Sequence, residues 1–379
     1  MPLYSFPINI QSLPNELVTS IFEELVEIYV EDQVFLPMEL CELRLVCKAW
    51  CTIIDNSCTL WSHLCGTETV EQVEKILLLS KHAPLSLNAL SYPNDDNTMS
   101  SSGVARILWE LRRLSAFQTT ISESSWPQIS TLLCNNAPLL ESLRMSVPAE
   151  PGGPVPALPD ALFNMERPPR LKVLNLEGCS VSWSSPLLCN LTELGLHGQP
   201  TRPSYFRFRA MLAQMPMLES LELFGCLPEN TPSNASEITM PNLCQVTLWD
   251  DIDRCTTFLK YTRCSLLKLD IGLRSGAQDF KPFFDLCEIR LGVVQLTTVF
   301  EPVLTINVYA SLQSTPIIEV GKSYRLTSRA REVTDETDDD YDCTPKLSVA
   351  TCLPSIHLVN QAIEAARTSL KHVAFVTNF

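Results

Sequence analysis

The sequence predicts an α/β protein in which a short N-terminal helical module is followed by a long array of strand-and-helix repeats. One observation is a dense set of large apolar side chains at helical spacing near the N-terminus. Another is a Leu pattern that returns from Leu140 onward in steps of 20 to 31 residues. The composition, with 45% hydrophobic and 19% charged residues, predicts a large buried core and argues against a disordered chain.

The first helix of the module is predicted to start near Pro14. Proline is tolerated in the first turn of a helix, and Glu16 lies where the helix dipole favours an acid. Two apolar stripes follow at helical spacing, one formed by Leu17, Ile21, Leu25 and Ile28 and the other by Val18 and Phe22. A segment of about fifty residues cannot bury both stripes by itself, so one of them predicts a protein partner.

The second half of the module is predicted to be a single helix from about Met38. Its apolar face comprises Leu40, Leu43, Cys47, Trp50 and Ile54, and Leu45 and Val46 widen that face. Leu60 and Trp61 follow and are expected to close the unit with a large aromatic anchor.

These residues match a known pattern. The segment contains Leu13-Pro14-Asn15-Glu16, Ile21-Phe22, the run from Leu43 to Trp50 (LRLVCKAW) and Leu60-Trp61, and over roughly residues 12–65 it resembles the F-box. F-box domains bind the Skp adaptor of cullin–RING ubiquitin ligases. The resemblance therefore implies adaptor-binding roles for Leu13, Pro14, Leu17, Ile21, Phe22, Val46, Cys47 and Trp50. The link between the helical halves, residues 26–42, is longer than in the family.

A second pattern occupies the rest of the chain. The motif L-x-x-L-x-L, with apolar exchanges, begins at Leu140, Leu171, Leu191, Leu218, Leu243, Leu266 and Leu286. Several copies have a Pro two residues before the first Leu, and Cys179 and Cys226 each follow a Leu-x-Gly run. The array resembles the leucine-rich repeat, which has one strand and one helical piece per turn. In that family the residue at the Cys position bonds backbone of the connecting loop.

The two resemblances together imply a domain plan. Residues 1–68 would form the F-box module, and residues 69–379 an irregular leucine-rich-repeat solenoid with parallel strands lining one face and helices on the other. Such a plan resembles fungal F-box/leucine-rich-repeat proteins. Loops are expected near 91–103, 148–159 and the acidic run 332–343. Residues 293–331 predict a β-rich departure from the repeat, and the tail predicts a helix over 354–368 and a last strand over 370–375.

Alternate residues of the predicted strands should share the open face of a parallel sheet. Thr247 occupies one of those positions. The other residues on the open face are weak candidates for binding a target protein, and they are Arg144, Asn175, His197, Glu222, Phe224, Trp249, Asp270 and Arg290. Exposed aromatic rings beside charges are typical of protein-binding surfaces. The alternative is that the aromatic rings turn inward or lie under a loop.

Several function classes are disfavoured. A net charge of −15 argues against nucleic acid and against an anionic membrane as partners. We find no signal-peptide pattern or membrane-length apolar run, and we expect the 15 Cys to be free thiols of a cytoplasmic and/or nuclear protein. The Cys and His residues lack metal-site spacing, and no phosphate-binding Gly motif is present, so no metal, cofactor or catalytic residue is predicted.

The leading hypothesis is a non-catalytic substrate-recognition subunit of a Skp–cullin–F-box E3 ubiquitin ligase. The F-box would bind the adaptor, the repeat face would bind a target protein, and the chain would act through proximity alone. The alternative is a leucine-rich-repeat scaffold outside the ubiquitin system that uses the helical module as a cap. A third possibility is an enzyme in an irregular α/β fold.

Overall fold

A computed structural model describes most of the first 264 residues and several later strands. The described residues are 13–31, 36–66, 68–89, 100–148, 153–230, 232, 235–264, 268–273, 282–283, 286, 295–299, 303–309, 317–323 and 374–377. The chain forms two compact units. Unit 1 comprises Met1–Met145 and Pro159–Arg170, and unit 2 comprises Ser146–Leu158 and Leu171–Phe379. The predicted domain boundary at residues 68 and 69 stays a prediction.

Unit 1 opens with three helices where the sequence predicted two. They are α1 (Asn15–Glu31), α2 (Leu36–Val46) and α3 (Lys48–Asn56). The single helix predicted from Met38 is wrong because Cys47 is extended, with φ −160° and ψ 165°, and separates α2 from α3. The Cys47 carbonyl accepts a hydrogen bond from the Cys51 N–H at 3.0 Å, so α3 starts a new ladder immediately after the break.

Strand-and-helix units begin in unit 1 directly after these helices. In chain order they are β1 (His63–Leu64), α4 (Val70–Ser80), β2 (Leu85–Ala89), α5 (Ser101–Leu108), β3 (Leu114–Thr120), α6 (Trp126–Leu132) and β4 (Ser142–Ser146). The strands lie in the order β1-β2-β3-β4, with β1, β2 and β3 parallel. Short 3-10 helices occupy Leu111–Arg113 and Leu162–Met165.

Side-chain caps fix the starts of two of these helices. Thr69 caps α4 in a capping box with Gln72, so each side chain satisfies a backbone N–H of the other residue. The Ser100 hydroxyl accepts a hydrogen bond from the Gly103 N–H and caps α5. Residues 101–103 are therefore helical, and the loop predicted over 91–103 is wrong for its last three residues.

Unit 2 carries the repeat. Its elements are β5 (Val173–Glu177), β6 (Glu193–His197), α7 (Tyr205–Ala213), β7 (Ser220–Phe224), β8 (Ile238–Met240), β9 (Gln245–Asp250), α8 (Ile252–Tyr261), β10 (Thr262–Cys264) and β11 (Lys268–Leu273). Strands β5, β6, β7, β9 and β11 are parallel neighbours in that order. Strands β8 and β10 form a separate parallel pair. The predicted parallel sheet with accompanying helices is confirmed.

The Leu pattern marks where the strands start. Strands β4, β5, β6, β7, β9 and β11 each begin two residues after the first Leu of a copy. In β5, β6, β7 and β9 the inward side chains are almost fully buried, and they are Leu174, Leu176, Leu194, Leu196, Leu221, Leu223, Val246 and Leu248. The copy beginning at Leu286 lies outside the described residues apart from Leu286 itself.

The repeat changes character after β11. Strand β13 (Val303–Tyr309) pairs antiparallel with β11, and β12 (Gln295–Val299) pairs antiparallel with β13. Strands β14 (Ile317–Ser323) and β15 (Ala374–Thr377) continue the sheet in parallel. The β-rich departure predicted over 293–331 is confirmed. The predicted helix over 354–368 and the acidic run 332–343 lie outside the described residues.

Candidate protein-binding surfaces

Helix α1 divides its apolar residues between two faces. Val18, Phe22 and Val26 are 4%, 1% and 2% exposed and pack inward. Leu17 and Ile21 lie on the other face and are 53% and 41% exposed. Ile28, farther along that face, is also exposed. The prediction that one stripe packs inward and the other faces outward is confirmed, and the structure decides which stripe is which.

Phe22 belongs to the interior of the module. Its ring meets the half-buried ring of Trp50 edge-on, with centroids 5.0 Å apart and planes at 76°. The adaptor-binding role that the F-box resemblance implies for Phe22 stays a prediction, and the burial of its ring argues against a direct contact. In this chain Phe22 supports the exposed face from inside and offers no surface to a partner.

The start of α1 presents the other N-terminal candidates. Pro14 is exposed and precedes the helix, and its carbonyl accepts hydrogen bonds from the N–H groups of Leu17 and Val18 at 3.1 and 3.2 Å. Leu13 is half-buried beside it. Pro14 thus lies at the cap position, one residue before the first helical turn in which the sequence placed it.

The break at Cys47 exposes the end of α2. Leu45 and Val46 are 86% and 60% exposed, so they face outward and do not widen a packed face as the single-helix prediction required. Arg44 and Asp55 join α2 to α3 through a two-point ion pair, with Nε–Oδ1 2.7 Å and Nη2–Oδ2 3.1 Å. This pair links the helices on either side of the break.

The predicted aromatic closure of the module is present. Leu60 and Trp61 are 0% and 3% exposed. The Trp61 Nε1–H donates a hydrogen bond of 2.9 Å to the Ile54 carbonyl at the end of α3. A buried indole therefore has its polar atom satisfied while it locks the last helix in place.

Comparison with known proteins agrees with this geometry. The F-box-like family matches residues 10–67. The chain carries an F-box-like domain. No curated protein matches the sequence. F-box domains are in general non-catalytic adaptor-binding modules, and the match supports a role within Skp–cullin–F-box ubiquitin ligases.

The second candidate surface is the open face of the parallel sheet in unit 2. Strand register aligns Glu177, His197, Phe224, Trp249 and Gly272 on five neighbouring strands. The His197 and Phe224 rings stack with centroids 4.0 Å apart and planes at 19°. The Phe224 and Trp249 rings stack at 4.7 Å and 24°. We call His197, Phe224 and Trp249 the aromatic row.

The aromatic row lies on the face that the two-residue period predicted. All three residues are half-buried, and the inward positions between them are filled by leucines. None of the three rings turns into the core, whereas the other part of the alternative, that the rings lie under a loop, stays a prediction. Their separation matches the spacing of adjacent strands, about 4.8 Å, so the sheet itself sets the stack.

Polar candidates surround the row. His197 Nε2 lies 3.4 Å from Glu222 Oε1 on the next strand. Asn175 lies across Gly195, because a Cβ built on Gly195 would come within 2.7 Å of the Asn175 amide carbon. Glycine at this position therefore leaves room for the Asn175 side chain.

The remaining target candidates lie on other strands or outside the described residues. Arg144 lies half-buried on β4 in unit 1. Asp270 lies on β11, in register with Thr247. Arg290 lies outside the described residues. The structure therefore brings together Asn175, His197, Glu222, Phe224 and Trp249 on adjoining strands of one sheet.

Glycine turns follow three of the strands that form the open face. Gly178, Gly198 and Gly225 follow β5, β6 and β7 with positive φ of 64°, 68° and 67°. Such backbone favours glycine. At Gly178 a Cβ would also lie 2.1 Å from the Val147 carbonyl oxygen. Each strand thus ends at the same level, immediately after the residue that contributes to the open face.

The residues that follow Gly198 and Gly225 make hydrogen bonds to backbone groups, as the leucine-rich-repeat resemblance implied. The Cys226 thiol donates to the carbonyls of Leu196 and Phe224, with Sγ–O distances of 3.2 and 3.1 Å. Gln199 is the equivalent residue after β6, which the sequence analysis missed. Its amide donates to the Cys179 carbonyl and accepts from the Val181 N–H, both at 3.0 Å. The repeated Leu-x-Gly-[Cys/Gln] run was the available signal.

A buried ion pair was also missed. Asp250, 0% exposed, accepts two hydrogen bonds from Arg202 at 2.6 and 2.8 Å and one from the Leu227 N–H at 3.2 Å. The hydrogen bond to Asp250 is the main reason that the pKa of Arg202 is raised. Because Asp250 directly follows Trp249, the clamp fixes the strand end that carries the last ring of the row.

Other sites offer little chemistry. Unit 2 has a pocket beside α7 and α8 that is lined by Tyr205, Phe208, Pro228, Glu229, Ile238, Asp253, Arg254, Thr257, Phe258, Lys260, Tyr261 and Thr262. This lining combines aromatic rings with charged side chains of both signs and contains no Cys, Ser or His. Within the part of the chain that the structure describes, no cluster of His, Cys, Asp and Glu could hold a metal ion. None of the described helices is long and apolar enough to cross a membrane.

Proposed function

We propose that this protein is the substrate-recognition subunit of a Skp–cullin–F-box E3 ubiquitin ligase. Its F-box-like domain binds a Skp-type adaptor, and the open face of unit 2 binds a target protein. The single observation that carries the proposal is a domain of the F-box-like family whose α1 leaves an apolar face exposed.

The adaptor surface comprises the exposed apolar residues of the first helices. Leu17 and Ile21 on α1 and Val46 at the end of α2 each expose two fifths or more of their surface. Burying the exposed part of such a side chain against a partner contributes roughly half of the 1.5–3 kcal/mol that burial of a fully exposed one would give. Pro14 and Leu13 extend the surface at the start of α1. Cys47, between α2 and α3, and Trp50 on α3 border it.

The target surface is a rigid platform. Its rings lie on paired strands, and the strand ends are fixed by glycine turns and by the Arg202–Asp250 ion pair. Aromatic side chains that are already ordered lose little entropy on binding, which is why they dominate protein-binding hot spots. The chain itself makes and breaks no bonds in this mechanism. It places a target near the ubiquitin-transferring subunits and so raises the effective concentration of the reacting groups.

The adaptor role is tested by co-purification of the full chain with a Skp-type adaptor. Ile21→Asp places a charge in the middle of the exposed face of α1 and should weaken adaptor binding by about tenfold or more. Leu78→Asp is the matched control, because Leu78 is an exposed leucine (77%) on α4 in the same unit. It should bind like the unmodified chain, and both variants should keep the unmodified melting temperature.

Two results would count against the proposal. One is the absence of any complex between the unmodified chain and the adaptor at micromolar concentration. The other is equal adaptor binding by the Ile21→Asp and Leu78→Asp chains. If cellular partners are captured equally by the unmodified chain and by a folded Ile21→Asp chain, the scaffold function is favoured, because the target surface then works without the adaptor.

A further inference from the structure

The cavity beside α7 and α8 is walled by aromatic rings and has a volume of about 250 Å³. Two pairs of rings line it, and each pair joins α7 to α8 edge-on. The Tyr205 and Tyr261 centroids are 6.3 Å apart with planes at 69°. The Phe208 and Phe258 centroids are 6.1 Å apart with planes at 70°. Because the planes within each pair are nearly perpendicular, aromatic surface bounds the cavity in more than one direction.

These walls are ordered before any ligand enters. Tyr205, Phe208 and Phe258 are 6%, 2% and 6% exposed. The Tyr205 hydroxyl donates a hydrogen bond of 2.6 Å to the Ser236 carbonyl, which fixes the position of its ring. Ile238 of β8 is also buried and adds an aliphatic part to the lining. A preformed cavity of this kind loses little conformational entropy when a ligand binds.

Carboxylates lie at the exposed rim of the same cavity. Glu229 and Asp253 both line it, both are exposed, and neither forms an ion pair within the part of the chain that the structure describes. Arg254 also lines the cavity, but its Nε lies 3.0 Å from Asp251 Oδ2 and 3.9 Å from Asp250 Oδ1. Because neither of these two acids belongs to the lining, they offset the Arg254 charge without using the rim carboxylates.

Lys260 shows that a ring of the lining accepts a cation. Its Nζ lies 5.3 Å from the centre of the Tyr261 ring, within the range of a cation–π contact. Lys260 also lines the cavity, so once Arg254 is paired the lining sets two carboxylates, Glu229 and Asp253, against one ammonium. An excess of carboxylate beside aromatic walls favours a cationic ligand over an anionic one.

The apolar walls select the kind of cation. A bare ammonium is compact and strongly hydrated, and the side chains of Phe208, Phe258 and Ile238 offer no acceptor that could replace its water. An ammonium whose hydrogens are replaced by alkyl groups needs no acceptor and buries apolar surface. Aromatic rings attract such a group through their faces.

We propose that the cavity between α7 and α8 binds an alkylated ammonium group, with aromatic rings around the cation and the Glu229 and Asp253 carboxylates at the rim. Such a group is carried by methylated lysine side chains of proteins and by choline-type small molecules. The lining shares no residue with the proposed adaptor surface or with the aromatic row. The inference therefore goes beyond the proposed function and does not depend on it.

The test uses the full chain, with choline as the probe in ligand-observed NMR titrations at physiological salt. Choline should bind at least about three-fold more tightly than its neutral isostere, in which a carbon atom replaces the nitrogen. Tyr261→Ala should weaken choline binding by about two- to thirty-fold, and Tyr261→Phe should retain it. Asp253→Asn should weaken it because a rim charge is lost. Asp160→Asn is the matched control, because Asp160 is an exposed acid outside the lining.

Two peptides of one sequence, with trimethyllysine or lysine at the centre, identify the source of the group. If the trimethyllysine peptide binds more tightly than both choline and the lysine peptide, the ligand is a modified protein. If choline binds more tightly than the trimethyllysine peptide, the ligand is a small molecule. Either result supports the proposal.

Three results would overturn it. One is equal affinity for choline and its neutral isostere, because the cavity would then be merely apolar. Another is unchanged choline binding by Tyr261→Ala and Asp253→Asn chains that keep the unmodified melting temperature, because the ligand would then lie elsewhere. The third is no binding of choline or the trimethyllysine peptide at millimolar concentration. Adaptor binding, measured on the same preparations, should be unchanged in every variant, so failure of this inference leaves the proposed function standing.

Discussion

Phe22 and Leu17 lie on opposite faces of α1, so truncating each to alanine should separate the stability of the F-box-like domain from its binding. Phe22 is 1% exposed and its ring contacts Trp50. Removing a buried phenylalanine costs roughly 3–5 kcal/mol, of which about 0.5–1.5 kcal/mol reflects the edge-on aromatic pair. Leu17 is 53% exposed, so Leu17→Ala should change the free energy of unfolding by less than about 0.5 kcal/mol.

The two variants should therefore fail in different assays. Urea unfolding and native-state hydrogen exchange of the amides in α1 and α3 both measure stability. Titration with a Skp-type adaptor measures binding. Phe22→Ala should lower protection in both helices and lose adaptor binding only to the extent that the domain is unfolded. Leu17→Ala should keep full protection and bind the adaptor more weakly. Full protection of the Phe22→Ala chain together with weakened adaptor binding would refute the assignment of Phe22 to the interior.

Two further predictions concern unit 2. Asp250→Ala leaves Arg202 without its carboxylate partner in a part-buried site, so the free energy of unfolding should fall by about 3–5 kcal/mol in denaturant titrations, and a loss under 1 kcal/mol would contradict the clamp. Burial raises the pKa of Cys179 to about 12, so the folded chain keeps this thiol protonated after the unfolded chain has lost the proton near pH 9. Stability from Cys179 is therefore complete below pH 9 and is lost as the pH rises toward 12, a loss that the Cys179→Ala chain should lack in unfolding titrations. Fast alkylation of Cys179 in the native protein at pH 8, at the rate of the half-buried Cys189, would refute its burial.

The helical module shows what periodicity can and cannot establish. The spacing of Leu17, Ile21, Val18 and Phe22 predicted two faces, because a helix of 3.6 residues per turn fixes which residues share a side. The spacing did not establish which face packs inward, since that depends on where α3 places Trp50 relative to α1. The break at Cys47 was not predictable either, because no Gly or Pro marks it.

The repeat was predictable where its leucines are regular. A Leu two residues before each strand anchors the chain, and the two-residue period then assigns Phe224 and Trp249 to the open face. The earlier strands β1, β2 and β3 depart from the full Leu pattern, so the first copy of the pattern starts only after them. The Arg202–Asp250 pair joins residues 48 positions apart, and only the folded loops bring them together.

The two candidate surfaces differ in how their residues are held, and this difference bears on how targets could be exchanged. On α1 the exposed leucine and isoleucine depend on helix packing through Phe22, so the adaptor surface is as stable as the small helical core beneath it. On the sheet, Trp249 and Asp250 are neighbours that point to opposite sides, one to the open face and the other into a clamp of 0% exposure. Each ring of the row is thus anchored by its own strand end. Under the proposed function, substitutions on the open face should alter target choice while the leucines beneath continue to hold the fold, because the inward and outward positions alternate along every strand of the row.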